Sequence, residues 1–172
     1  MRKLLYLVTA LILSNEISAQ NKEELTTFIL VRHAEKATGQ NAMPSNNDPK
    51  LSDEGLKRAE RLTELFSQAS IGAVYSTAYE RTRGTVTPLA KAKSLEIQYY
   101  EPGKLEAIDK IWSENQGKTV VICGHSNTIP KIANYLSSTD KYKDFNDADY
   151  GNIIIVTVSK KGEPASVTWL RY

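Results

Sequence analysis

Two runs of apolar, mostly β-branched residues each stop at a histidine, and the chain has no other histidines. The first run is Phe28-Ile29-Leu30-Val31, followed by Arg32-His33-Ala34-Glu35-Lys36; the second is Val120-Val121-Ile122-Cys123, followed by Gly124-His125-Ser126-Asn127. A short apolar run without polar alternation fits a strand covered on both faces. Residues 26–31 and 119–123 are therefore predicted as buried strands. Residues 71–76 form a shorter candidate, and residues 95–100 alternate like a further strand. Residues 153–158 and 166–170 are expected to close the sheet, joined by a turn at 160–164.

Helical periodicity fills the gaps. Ser52 is placed to cap a helix that carries Asp53 and Glu54 in its first turn, where the dipole favours acids. Leu56, Ala59, Leu62, Leu65, Phe66 and Ala69 form its apolar face, while Lys57, Arg58, Glu60, Arg61 and Glu64 read as a solvated face. Leu105, Ile108, Ile111 and Trp112 predict a second helix, and Ile129, Ile132, Ala133 and Leu136 a third. Strands alternating with helices predict an α/β fold with a mostly parallel sheet covered on both faces. Ligands of such sheets bind beyond the carboxyl ends of the strands, where both histidines fall. Residues 79–93 resist assignment, because Gly84, Thr85, Val86, Thr87 and Pro88 are poor helix formers. Residues 36–50, with Gly39, Asn41, Pro44, Asn46, Asn47 and Pro49, read as a long loop of the kind that shapes a site.

The amino terminus is expected to lie outside this fold. Arg2 and Lys3 precede an apolar stretch at 4–13, about half the length a bilayer span requires. Residues 14–19 are polar or small, which reads as a secretory signal peptide cut between Ala19 and Gln20. An uncleaved anchor is the alternative; the lack of a nearby cysteine argues against a lipid anchor. The domain is then 20–172, exported to the periplasm or secreted. Cys123 is the only cysteine, so no internal disulfide forms, and its apolar neighbours mark it as a buried small hydrophobe. The net charge of +2 falls to +1 without residues 1–19, too balanced for bulk attraction to nucleic acid. No stable membrane association is expected after cleavage.

Any positive field must be local, and the motifs supply it. Between the histidines lies Arg81-Thr82-Arg83-Gly84-Thr85. Imidazoles and guanidiniums at strand ends suit a phosphoryl group passed to nitrogen. A neutral imidazole is a good nucleophile near pH 7, its free pKa being about 6.5. Arginine's planar fork holds phosphoryl oxygens in paired hydrogen bonds. Gly124 permits close backbone approach, and the helix start after His125 adds anion-binding N–H groups. His125 is expected to act as a protonated donor.

These residues resemble the histidine phosphatase superfamily, also called phosphoglycerate mutase-like. Residues 31–35 are similar to its arginine-histidine signature, Leu51-Ser52-Asp53-Glu54-Gly55 to its leucine–glycine helix start, Tyr75-Ser76-Thr77 with 81–85 to its arginine-threonine segment, and 124–128 to its glycine-histidine motif. The resemblance spans 27–137, in family order. It implies a three-layer α/β/α sandwich of the short single-domain bacterial branch. It also implies His33 as nucleophile and Arg32, Arg81 and His125 as the phosphate pocket. A helix is implied after Arg81, kinked near Pro88. Glu101 is the implied proton donor, with Glu106 as the next option and Glu35 in an orienting role. Thr38 and Gly39 do not clearly match the family's small polar loop residues, and Gly84 and Val86 depart from its pattern.

Three other patterns fail. Gly117-Lys118-Thr119 lacks the first glycine of a P-loop, since position 112 is Trp, and a strand follows it. The acidic run at 144–149 has Asp149 and Ile155 where a calcium loop needs Gly and Glu. The histidines lack zinc spacing, so neither a metal nor a cofactor is expected. The expectation is an exported enzyme that hydrolyses small phosphomonoesters. A mutase, usually longer in this family, a non-catalytic phospholigand-binding module and a protein phosphohistidine phosphatase are the alternatives. Specificity is expected from residues 36–50 and 138–151.

Overall fold

The computed structural model describes residues 24–38, 48–160, 163 and 165–172. The expected signal peptide and its expected cut, Gly39, most of the loop at 36–50, and residues 161, 162 and 164 of the closing turn lie outside the described residues. The elements run β1 (Thr26–Arg32), α1 (Asp53–Leu65), β2 (Ala73–Ser76), α2 (Glu80–Ala92), β3 (Ile97–Tyr99), α3 (Leu105–Glu114), β4 (Thr119–Gly124), α4 (Thr128–Leu136), β5 (Asn152–Val158) and β6 (Ser166–Arg171). Strand boundaries shift from the expected ones by one or two residues. No helix among the described residues is long and apolar enough to cross a membrane.

One six-stranded sheet has the order β3-β2-β4-β1-β5-β6. β3, β2, β4 and β1 pair in parallel, while β5 and β6 join antiparallel to β1 and to each other. The mostly parallel expectation therefore holds, with an antiparallel edge. The period of two along each central strand divides its side chains between two cores. Phe28, Leu30, Val120 and Ile122 meet α3 and α4 through Ile108, Ile111, Ile129 and Ile132. Ile29, Val31, Val121 and Cys123 meet α1 and α2 through Leu62, Phe66, Val86 and Leu89. This is the three-layer α/β/α sandwich, and Cys123 is the buried hydrophobe expected, its thiol pushed up by burial.

Ser52 caps α1 as predicted, its hydroxyl accepting from the Gly55 N–H at 3.1 Å. Gly55 is required for a close approach, since a Cβ there would run into the Glu35 carbonyl oxygen. Two members of the predicted apolar face, Leu56 and Leu65, are exposed instead. α1 buries only Gly55, Ala59 and Leu62, a narrower stripe than the sequence pattern implied.

α2 forms despite its composition and runs through Pro88. Packing overrides propensity here. Thr82, Thr85, Val86, Leu89 and Ala90 are buried, and Gly84 leaves room for Leu51, whose side chain a Cβ would meet at 3.2 Å. The Thr85 hydroxyl donates to the Arg81 carbonyl at 2.8 Å and accepts from the Ala34 N–H at 2.9 Å, tying this helix to the end of β1.

Candidate active site

β1 and β4 are neighbours, and their register pairs Arg32 with Gly124. The His33 N–H then donates to the Gly124 carbonyl at 2.9 Å. One residue past the paired positions, the two imidazoles meet edge-on with ring centroids 5.6 Å apart. Residues separated by most of the chain are thus joined by strand pairing alone.

His33 is 5% exposed. Its Nδ1 lies 2.8 Å from the Ala34 carbonyl oxygen. A carbonyl can only accept, so Nδ1 carries the proton and Nε2 keeps its lone pair. Burial first, then the charges of Arg81 and Arg32 and the neighbouring His125, push its pKa down to about 3, while the Ala34 hydrogen bond acts upward. His33 is a neutral imidazole at pH 7.

His125 is fixed by a chain of hydroxyls. Its Nε2 lies 3.1 Å from Thr77 Oγ1, and that hydroxyl lies 2.9 Å from Thr82 Oγ1. On the other edge, Arg81 Nη2 approaches Nδ1 at 3.5 Å. A guanidinium can only donate, so Nδ1 accepts and Nε2 carries the proton. Burial and then Arg81 push the His125 pKa down to about 4, against the smaller opposing effect of Asp48. The expectation of a protonated His125 is corrected: among the protein groups around it, the ring is neutral, because it is half-buried and faces an arginine.

Arg81 itself is aimed by Asp48, which the sequence reading passed over. The Asp48 carboxylate accepts from Arg81 Nη1 at 3.3 Å and from the Glu80 N–H at 2.9 and 3.0 Å, so it also serves the amino terminus of α2. Tyr79 completes this half of the site. The Arg81 guanidinium lies 4.4 Å from the Tyr79 ring centre, and the same ring meets His125 edge-on at 5.0 Å. Tyr150 is its counterpart, 4.4 Å from the Arg32 guanidinium and 6.2 Å from the His33 ring.

Arg32 is more constrained than a free phosphate ligand. Its side chain is 3% exposed, and Nη1 and Nη2 donate to the carbonyls of Asn146, Asp149 and Asp147 at 2.7, 3.1 and 3.0 Å. Its Nε, alone of the three guanidinium nitrogens, has no partner among the described residues. The arginine therefore fixes the loop before β5 while placing a positive charge beneath His33.

The three carboxylates weighed in the sequence separate clearly. Glu35 is bound by Arg58, whose Nε reaches both carboxylate oxygens at 2.9 Å and whose Nη2 reaches one at 2.6 Å. Burial would raise its pKa, but these hydrogen bonds and the Arg58 charge hold it below the usual range, which suits the orienting role. Arg58, assigned to a solvated face, instead turns inward and also donates to the Tyr172 carbonyl at 2.6 Å. Glu101 is 65% exposed and pairs with Lys104 at 2.7 Å. It lies beside Tyr100 and Pro102, next to the cavity that Arg81 and His125 line. Glu106 is exposed in the first turn of α3. The structure therefore gathers His33, His125, Arg32 and Arg81, leaves Glu101 at the rim, and adds Asp48, Thr77, Tyr79 and Tyr150. Among the described residues, no group of three His, Cys, Asp or Glu side chains is arranged to hold a metal ion.

Residues 28–102 match the family model of the histidine phosphatase superfamily, branch 1. Phosphoserine phosphatase 1 of Hydrogenobacter thermophilus is 35% identical over 74 residues, a match that spans 42% of this chain and 35% of that protein. The match thus covers about a third of the relative's length. Among solved structures, a mycobacterial glucosyl-3-phosphoglycerate phosphatase aligns with a TM-score of 0.69 at 10% identity, over 86% of this chain and 99% of that one. The protein histidine phosphatase SixA, complexed with tungstate, aligns at 0.69 and 13% identity over 84% and 96%. A phosphoglycerate mutase from Bacillus anthracis aligns at 0.64 and 15% over 86% and 93%. At these identities the structural likeness speaks for the fold.

Proposed function

We propose that the chain is a histidine phosphatase, the superfamily whose model its residues 28–102 match, and that it hydrolyses small phosphomonoesters through a phosphohistidine on His33. One observation carries the reading: the Ala34 carbonyl holds His33 Nδ1–H and leaves Nε2 free, neutral and buried among cationic groups. Nε2 attacks phosphorus, an N–P bond forms, and the ester P–O bond breaks with its electron pair on the departing oxygen. Glu101 gives that oxygen its proton, which requires it to part from Lys104. Water then attacks the phosphohistidine and gives its proton to the Glu101 carboxylate, the N–P bond breaks with its electron pair on Nε2, and inorganic phosphate leaves. Arg81 and the charge of Arg32 stabilise the oxygens as charge develops, and His125 joins them when its Nε2–H turns from Thr77 to the phosphoryl group.

Support for a hydrolase also comes from the partial likeness to a phosphoserine phosphatase. The basic, apolar and small-residue order of residues 1–19 supports export, as a single domain over 20–172, to the periplasm or the medium. Partners are small phosphorylated molecules.

The test is turnover of a phosphomonoester panel by the purified protein, with chemical quench of labelled substrate. Acid-labile, base-stable label on His33, and a loss on the order of a thousandfold or more in His33→Ala, are expected. Undiminished turnover by His33→Ala overturns the mechanism. Intact mass of the protein recovered from outside the cytoplasm checks the cut before Gln20.

A further inference from the structure

A cavity of about 650 Å³ opens from the Arg81 and His125 side of the site and runs between α3 and α4. At roughly 30 Å³ per water-sized group, a phosphoryl group fills only a small part of that volume. The walls are not built for a polyol. Tyr100, Leu105, Ile108 and Ile132 give an apolar lining, and three of these four are buried against the core. One face of α4 contributes Thr128, Lys131, Ile132 and Tyr135, which recur at helical spacing. Thr128 marks the catalytic end, since its Oγ1 accepts from the His125 N–H at 2.9 Å. Lys131 stands one turn further, about 5 Å along the axis.

Charge along the cavity is uneven. Arg81, Lys104 and Lys131 are its cations and Asp140 its one carboxylate. Arg81 is held by Asp48 and Lys104 by Glu101. No ion pair found among the described residues involves Lys131. Thr139 and Asp140 come from the segment 138–151 in which the sequence placed specificity; the other lining residues come from the start of α2, the β3–α3 segment, the turn after β4 and α4.

We propose that this cavity selects phosphomonoesters with an apolar ring and a second anionic group, the ring lying on the Tyr100–Ile132 wall and the anion meeting Lys131. The proposal rests on the phosphatase reading above. An apolar body gains by removing this wall from water, and a small polyol phosphate does not. Lys131 then sets the charge preference at the far end, across the width of one ring from the phosphoryl group.

The experiment compares kcat/KM for glycerol 2-phosphate, phenyl phosphate and 4-carboxyphenyl phosphate in the wild type, Lys131→Met and Lys131→Glu. The wild type is expected to prefer both aryl esters to glycerol 2-phosphate. Lys131→Met is expected to lower the 4-carboxyphenyl/phenyl ratio about three- to fivefold, the scale of a solvent-exposed ion pair. Lys131→Glu lowers it further, through KM. An unchanged ratio in both variants, or a wild type that hydrolyses glycerol 2-phosphate as well as the aryl esters, overturns the proposal and leaves the phosphatase reading standing. Turnover of none of the three sinks both.

Discussion

The imidazole of His33 is held by the residue that follows it, its Nδ1–H donating to the Ala34 carbonyl oxygen at 2.8 Å. The bond selects the tautomer, and burial with nearby cations lowers the pKa to about 3. His33 therefore stays unprotonated far below the ordinary histidine range. After correction for the second ionisation of a phosphomonoester near pH 6, kcat/KM is expected to show no acid limb from His33 between pH 7 and 5. A limb near 6.5 that moves with the second ionisation of the substrate across a series of esters would leave the tautomer argument standing; one that stays in place whatever the ester would refute the depressed pKa.

Stability should also depend on these rings. His33 and His125 have folded pKa values of about 3 and about 4, against about 6.5 unfolded. Above 6.5 neither state binds the protons. Below it the unfolded chain takes up protons the folded one refuses, so stability falls with pH until about 4. The slope is at most about 1.4 kcal/mol per pH unit for each histidine, and less for half-buried His125. Glu35, held low by Arg58, matters only below the usual carboxylate range. Urea unfolding at pH 7 and 5 is expected to show the loss, and a His33→Gln, His125→Asn double variant to flatten it.

Arg81 and its carboxylate partner separate positioning from proton transfer. Arg81→Lys is expected to lose on the order of a hundredfold in kcat/KM, since one ammonium cannot serve the anion, Asp48 and His125 together. Asp48→Asn loosens Arg81 and should cost about tenfold, equally for aryl and alkyl esters. Glu101→Gln should instead spare esters with acidic leaving groups and slow alkyl esters. A leaving-group series with each variant checks the division, and an alkyl-selective loss in Asp48→Asn would make Asp48 the acid.

Arg32 is expected to behave as a structural as well as a catalytic residue. Arg32→Lys cannot supply the donors that reach the carbonyls of Asn146, Asp147 and Asp149. Leaving buried acceptors unpaired costs about 1–3 kcal/mol. Urea midpoints should fall together with activity, whereas Arg81→Lys should leave the midpoint nearly unchanged.

Much of this was legible along the chain. Apolar runs marked β1 and β4, helical spacing marked α1, α3 and α4, and the motif order marked the site. What could not be read depended on contacts far apart in sequence. Asp48 sits 33 residues from Arg81, and the loop that holds Arg32 is more than a hundred residues from it. Tyr79 and Tyr150 carry no spacing that singles them out from the chain's nine tyrosines. α2 was obscured because local propensity opposed a helix that buried threonines and Gly84 make favourable. His125 was assigned a charge because its motif was read without the guanidinium that faces it.

The pairing of Arg32 with Gly124 puts the His33 and His125 rings immediately past the ends of β1 and β4, the two middle strands of the sheet order. Central strands are the last part of a domain to open in amide exchange. The imidazole spacing is therefore insulated from fraying at the edge strands and loops. On heating, the His33 ring should keep its geometry until the cooperative melt of the whole domain.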